Sequence, residues 1–254
     1  MLENTFSHIP GVGFVTERSL WKQGCTSWRC WLDDLDRYGC GQADRAEVRE
    51  VLEKSVDCLE RKEHRFFHYM LGQKEAWRAY PEFRDSCVYL DIETDGGSSG
   101  DSVTTIGMWD GSEFQVLIKG RDLDRFPEII ANYRMVVTFF GTGFDLPMLQ
   151  KRYRGLRFDQ IHMDLCPTLR RLGLRGGLKK IEKQLNISRG DETDGLGGLD
   201  AIRLWRRYSM LRDEKALETL VAYNREDVVN LETLAEYAYR GLRRETFESC
   251  LVGA

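Results

Sequence analysis

The chain has 254 residues, enough for one large domain or for a core domain with a smaller attachment. Its 42% hydrophobic and 31% charged residues are those of an ordinary globular protein and exclude a disordered or fibrous chain. The net charge of −4 does not announce a nucleic-acid binder, and apolar runs such as Met135 to Val137 are strand-sized, so no membrane span is expected. The start at Met1 has no basic flank followed by an apolar stretch, so no signal peptide is expected and the cytoplasm is the expected location. Seven cysteines, odd in number and scattered without a Cys-x-x-Cys pair, indicate neither a disulfide framework nor a zinc ribbon. Cys25, Cys30 and Cys40 form the closest cluster and are not assigned to a metal. His64 and His68 stand one helical turn apart, but no Glu follows His64 as in His-Glu-x-x-His, so they are read as a helix pair.

In chain order, residues 1 to about 85 read as a helical region. Ile9-Pro10-Gly11-Val12-Gly13 opens it, followed by a helix from about Thr16 to Lys22 that stops at Gly24. Gln42 to Leu71 is expected as one long helical run, with Val48, Val51, Leu52, Val56 and Leu59 at near-helical spacing. At Cys87 the period changes: Cys87 to Thr94 is a strand signal ended by the glycine- and serine-rich stretch Asp95 to Gly100. Strands Val103 to Trp109 and Glu113 to Ile118 follow, joined across Asp110-Gly111, a strong hairpin turn. A helix from about Phe126 to Tyr133, a strand Met135 to Phe139, a short strand near Gln160 to Leu165 and a last long helix from about Asp213 to Gly241 complete the order. Three hairpin-linked strands, then alternating helix and strand, then helices describe an α/β domain with a mixed sheet flanked by helices. The expected domains are a helical region over 1–85 and the sheet domain over 86–254.

The chemistry is expected in three places. Asp91 and Glu93, two apart on a strand, project from one face while Ile92 packs on the other. Acids inside an apolar strand need compensation. A divalent cation such as Mg²⁺ or Mn²⁺ provides it through hard oxygen ligands, and an edge strand facing water is the bland alternative. Asp145 follows the glycine turn Gly141-Thr142-Gly143 at a helix start, where an acid also serves as an ordinary cap. Tyr223 and Asp227 lie four apart on the last helix, hence on one face. An amphipathic helix with a packed Tyr and an exposed Asp has the same spacing.

The net charge conceals a segregation. From Lys151 to Arg189 eleven Lys or Arg stand against three acids (Asp159, Asp164, Glu182), a local net of +8. Following Asp145 directly, Lys151, Arg152, Arg170, Arg171, Lys179 and Lys180 are candidates to border a cleft and hold phosphates. Arg203, Arg206 and Arg207 form a second candidate group, with Trp205 either a base-stacking platform or, preferably, core.

Asp-x-Glu on a strand, Phe144-Asp145 after a glycine turn and Tyr-x-x-x-Asp on a late helix together resemble the three-motif signature of the DnaQ-like DEDD exonucleases, in the tyrosine (DEDDy) subclass. Leu90 to Thr94, Gly176 to Glu182, Leu199 to Trp205 and Tyr223 to Val228 further resemble the YprB-like family within that superfamily, over about residues 85–241. The segment from Ile9 to Trp28 resembles the start of these proteins, and its first turn resembles the hairpin of helix-hairpin-helix modules. The resemblance implies a ribonuclease-H-like fold with a helical N-terminal extension. It also implies a 3′–5′ exonuclease acting on nucleic acid with a 3′ end, single-stranded DNA favoured, through two divalent metal ions. Asp91 is implied to bridge the ions, Glu93 and Asp227 to complete one site, Asp145 to reach the other, and Tyr223 to orient the attacking water. Two departures stand out: the long Gly/Ser loop after Glu93, and Phe140 where the family often has Asn. A catalytically silent nucleic-acid-binding domain and a structure-specific endonuclease of the same fold are the alternatives, and DNA against RNA stays open.

Overall fold

In the computed structural model, which describes residues 1–190, 193 and 195–251, a five-stranded sheet carries the second half of the chain. The strands are β1 (Cys87–Thr94), β2 (Val103–Trp109), β3 (Phe114–Ile118), β4 (Met135–Thr138) and β5 (Ile161–Asp164), in the order β3-β2-β1-β4-β5. β1 pairs antiparallel with β2, and β2 with β3, as short hairpin links require; β4 and β5 join in parallel through helical crossovers. The sheet is the mixed, helix-flanked one expected, with strand ends within a residue of those read from sequence.

The helices are α1 (Phe14–Lys22), α2 (Trp28–Asp33), α3 (Arg45–Glu60), α4 (His64–Leu71), α5 (Tyr80–Phe83), α6 (Phe126–Ile130), α7 (Asp145–Arg152), α8 (Leu165–Arg171), α9 (Leu178–Gln184), α10 (Gly198–Leu211), α11 (Glu214–Arg243) and α12 (Ser249–Leu251). The single run expected from Gln42 to Leu71 is two helices. Asp44 Oδ1 caps α3 by accepting from the N–H groups of Ala46 and Glu47. Its other end closes as Glu63 N–H donates to Cys58 O and Lys62 N–H to Leu59 O, with Lys62 left-handed at φ 54°. That cap stops the helix although the apolar spacing continues.

Alternation along β1 splits the core in two. Val88, Leu90 and Ile92 join Ile106, Leu117, Phe126 and Leu149 on one face. Cys87 and Tyr89 point to the other, where they meet Leu231, Leu234 and Ala235 of α11 and, continuously with them, the N-terminal helices through Trp77, Tyr80 and Phe83. α11, 30 residues long and therefore about 45 Å, crosses this second face. Carried two residues further, the alternation that turns Tyr89 toward α11 turns Asp91 and Glu93 the same way.

The N-terminal region is tied by a buried ion pair. Arg78, fully buried, donates from Nη1 and Nη2 to Glu17 Oε1 (2.9 Å) and Oε2 (3.0 Å), and from Nε to Glu75 Oε2 (2.6 Å). Glu17 also accepts from the Phe6 and Ser7 N–H groups, pinning the first residues over α1. In the opening turn Gly11 has φ 78°, and a Cβ there would meet the Ala43 backbone at 2.9 Å, so this glycine permits close packing against the loop before α3.

Candidate active site

α11 carries an apolar stripe, Leu217, Leu220, Val228, Leu231, Leu234 and Ala238, interrupted by buried Tyr223, Asn224 and Asp227. The interruption falls where the helix passes the acidic end of β1. One carboxylate oxygen from each of Asp91, Glu93 and Asp227 lies within 4.8 Å of the others. Asp91 is also held by Asn224, whose Nδ2 donates to Oδ2 at 2.9 Å. This approach needs Gly107, the cross-strand partner of Asp91 on β2, because a Cβ there would collide with the Asn224 side chain.

Asp145 comes from the opposite side at the start of α7. It is 3% exposed, and its Oδ1 accepts from the Ile92 N–H at 3.0 Å, which joins the helix start to the middle of the acidic strand. The turn before it is shaped by Asp164 at the end of β5, which accepts from the Phe140, Thr142 and Cys166 N–H groups. Phe140 adopts φ 65° there, a left-handed conformation that Asn adopts more readily than Phe, and the residue is 55% exposed.

The trio, with Asp145 buried near it, resists ionisation. Burial first, and then the charges of Asp227 and Asp145, push the Glu93 carboxyl from its ordinary 4.5 up to about 8. Burial raises Asp145 from 3.8 to about 7, against the pull of its backbone hydrogen bonds, and raises Asp91 well above its ordinary value with help from its acidic neighbours. Asp227 is raised by burial and lowered by Arg189. Hard oxygen donors converging at mutual electrostatic cost fit a divalent cation, whose charge would remove that cost.

The native, metal-free protein keeps a proton on Glu93 that the unfolded chain releases near pH 4.5. The Glu93 contribution to stability is therefore full at the acidic end, falls as pH rises from about 4.5 to 8, and levels off above, with Asp145 acting in the same direction between 3.8 and about 7. Buried His8 and His162, lowered from 6.5 to about 3 and about 4, act oppositely below pH 6.5, so the net fall is expected between about 6.5 and 8. In chelator near pH 8.5, Glu93→Gln is expected to be more stable than wild type by about 2–4 kcal/mol. Added Mn²⁺ should raise the melting temperature of wild type more than that of the variant. Melts of wild type and Glu93→Gln in chelator across the pH range check it, and a stability difference between them that does not grow from pH 5 to 8 contradicts it.

Tyr223 lies one turn before Asp227. Burial, and then the charges of Asp227, Glu93 and Asp91, raise its phenol above the ordinary range, so it stays protonated at neutral pH. Among the described residues its hydroxyl has no hydrogen-bond partner.

The basic candidates divide. Lys179 and Lys180 line the same cleft as Asp91, Tyr223 and Asp227, a space of about 340 Å³. Lys179 Nζ sits 4.2 Å from the centroid of the Tyr223 ring. Lys151 donates to Ser98 O, while Arg152 pairs with Asp101 and Asp124, so both are engaged with the loop after the first motif and its surroundings. Arg171 turns to Lys74 O, Glu75 and the Trp77 ring, and Arg170 is exposed on the same helix. Arg203 pairs with Asp200, Arg207 with Asp213, and Arg206 is exposed. Trp205 is core, packed among Ile118, Tyr208 and Leu220, and offers no stacking face. The two histidines go separate ways: His68 Nδ1 contacts Gln160 O, and His64 lies 3.9 Å from Asp159.

Sequence reasoning missed Arg189, whose Nη2 reaches Asp227 Oδ1 at 2.5 Å, and Glu182, which holds it. In the sequence both are only charges of the basic stretch. It also missed Asn224, although a polar residue at an apolar-stripe position of α11 is a signal that periodicity contains.

The mixed sheet, with acids on its central strand and on the helix crossing it, defines a ribonuclease-H-like domain. A family model, RNase_H_2 of the RNase_H superfamily, matches residues 88–239, and the chain belongs to this family. Folds of this superfamily are generally those of hydrolytic nucleases that use divalent metal ions and act on nucleic acid. Comparison with curated proteins and with solved structures gave no match.

Proposed function

We propose that the protein is a DEDDy-type 3′–5′ exonuclease of the YprB-like kind. In this reading it acts in the cytoplasm on nucleic acid with a free 3′ end, single-stranded DNA foremost, using two divalent ions, Mg²⁺ or Mn²⁺. The observation that carries this reading is the convergence of Asp91, Glu93 and Asp227 beside Tyr223, with Asp145 tied to the same strand through Ile92.

Asp91, Glu93, Asp145 and Asp227 would hold the metal. When bound, such ions supply Lewis acidity toward the phosphate and toward water. The reaction joins a water oxygen to phosphorus, breaks the P–O3′ bond and returns a proton to the departing 3′ oxygen. Tyr223 donates or accepts a hydrogen bond that orients the water; burial and the neighbouring carboxylates raise its phenol, which suits it to positioning that water more than to taking its proton. Lys179 and Lys180 attract the phosphate backbone into the cleft.

Digestion of single- and double-stranded DNA and RNA, labelled at the 5′ or the 3′ end, with Mg²⁺ and with Mn²⁺, tests this directly. Stepwise shortening from the 3′ end is expected, and release of internal fragments from a circular strand would favour an endonuclease. Tyr223→Phe is expected to slow single-turnover cleavage on the order of 10- to 1000-fold, since it keeps the ring and removes one positioning contact. Calorimetry should show its Mn²⁺ affinity nearly unchanged. A wild-type rate would make Tyr223 a packing residue, and lost metal would mean it supports the carboxylates instead.

A further inference from the structure

Arg189 is held by a scaffold of its own. Nε and Nη2 donate to Glu182 Oε2 and Oε1, each at 2.8 Å, in a bidentate pair. Glu182 is 1% exposed and is fixed in turn by Asn230, whose Nδ2 donates to Oε1 at 2.9 Å. Nη2 also reaches Asp227, and the whole Arg189 side chain is only 5% exposed. Nη1 is left over. It is buried and has no partner among the described residues.

A guanidinium this enclosed gains little from two free N–H groups, because each unmet donor costs about 1–3 kcal/mol. Neutralising Asp227 needs only a point charge; the planar fork instead spends Nε and Nη2 on Glu182 and so holds Nη1 in a fixed direction. Lys179 repeats the pattern: its Nζ is buried without a partner among the described residues, and it lies against the same Tyr223 ring that Arg189 Cζ approaches at 5.8 Å. Two unspent cationic donors therefore border one aromatic ring beside the carboxylate trio. The ligand that completes both is an anion with several acceptor oxygens, and the phosphate of the proposed substrate is one.

We propose that Arg189 is a catalytic residue whose Nη1 binds a non-bridging oxygen of the phosphate being cut, with Lys179 as its neighbour in the same anion pocket. This rests on the nuclease reading and adds to it a protein cation that takes up charge on phosphorus as the P–O3′ bond breaks. Glu182 and Asn230 are positioning residues, because they act only by aiming Arg189.

The test uses the whole chain and thymidine 5′-monophosphate, the product that cleavage of DNA would leave. Three quantities are measured for wild type, Arg189→Met and Arg189→Lys: Mn²⁺ affinity, thymidine 5′-monophosphate affinity at saturating Mn²⁺, and single-turnover cleavage of a labelled single strand. Arg189→Met is expected to lose about 10- to 100-fold in nucleotide affinity and about 100-fold or more in rate, with Mn²⁺ affinity within about 3-fold of wild type. Arg189→Lys, whose ammonium cannot reproduce the bidentate pair with Glu182 that fixes the direction of Nη1, should bind the nucleotide at least about 5-fold more weakly than wild type. It decides the matter should the Met variant fail to fold. Either variant binding the nucleotide and cutting as wild type does overturns the proposal. So does a fall in Mn²⁺ affinity as large as the fall for the nucleotide, which would make Arg189 a support for Asp227. A wild-type protein that neither cuts nor binds the nucleotide overturns the nuclease reading itself, and this proposal with it.

Discussion

Asp91→Asn is expected to abolish hydrolysis while leaving the protein folded. Asp91 stands at the centre of the site: on the middle strand of the sheet, within reach of Glu93 and Asp227, and bonded to Asn224. Losing one donor to developing charge costs other enzymes roughly 100- to 1000-fold, and losing the metal ligand that we propose Asp91 to be should cost at least that, on the order of 1000-fold or more. Asparagine keeps the shape, and its oxygen still accepts from Asn224 Nδ2. It also removes one of four mutually repelling acids, so the metal-free variant should melt no lower than wild type at pH 8. Single-turnover cleavage, Mn²⁺ calorimetry and thermal melting on one preparation give the three readouts. Near-normal turnover, or Mn²⁺ binding as tight as in wild type, would remove Asp91 from the metal site. Loss of activity together with a collapsed melting transition would mean that the acid is structural.

Arg78→Met is expected to be the most destabilising single change outside the site, by about 3–5 kcal/mol, because it strands Glu17 with a buried charge. Glu17 would keep only the Phe6 and Ser7 N–H groups, and Glu75 would keep only Arg171 as an ion-pair partner among the described residues. For a chain of this length the loss corresponds to a melting temperature lower by roughly 8–15 °C. Adding Glu17→Gln should recover a large part of it, since the penalty lies in the unpaired ion more than in the missing bond. The N-terminal helices share an apolar cluster with Tyr89, Met135 and α11, so the whole chain should melt in one transition that moves down intact. Two separated transitions, with the sheet domain unmoved, would instead assign residues 1–85 their own stability. A loss under about 1 kcal/mol would show the pair to be balanced by its desolvation.

Most of the sheet was legible because its determinants are local. Alternation over Cys87 to Thr94, the Asp110-Gly111 turn and the long stripe of α11 place strands and helix without reference to anything distant. The sequence by itself also determined which side of β1 carries the acids, since a period of two puts Asp91 and Glu93 opposite Ile92 in any fold that keeps the strand. Where a local rule competed with a local cap it failed: the apolar spacing runs on past Glu60, but the closing hydrogen bonds at Lys62 and Glu63 end the helix.

What only the tertiary structure decided are contacts between segments far apart in the chain. Asn224 reaches Asp91 because Gly107, from a third element, leaves the space. Eleven basic residues look alike in the stretch from Lys151 to Arg189, yet Arg171 is committed to Glu75, Arg152 to Asp101 and Asp124, and Lys179 to the cleft. Charge in a sequence has a sign but no direction. The direction comes from the helix that carries it and from whichever carboxylate is nearest, and for Arg189 that is buried Glu182, which leaves its Nη1 without a partner among the described residues beside Asp227.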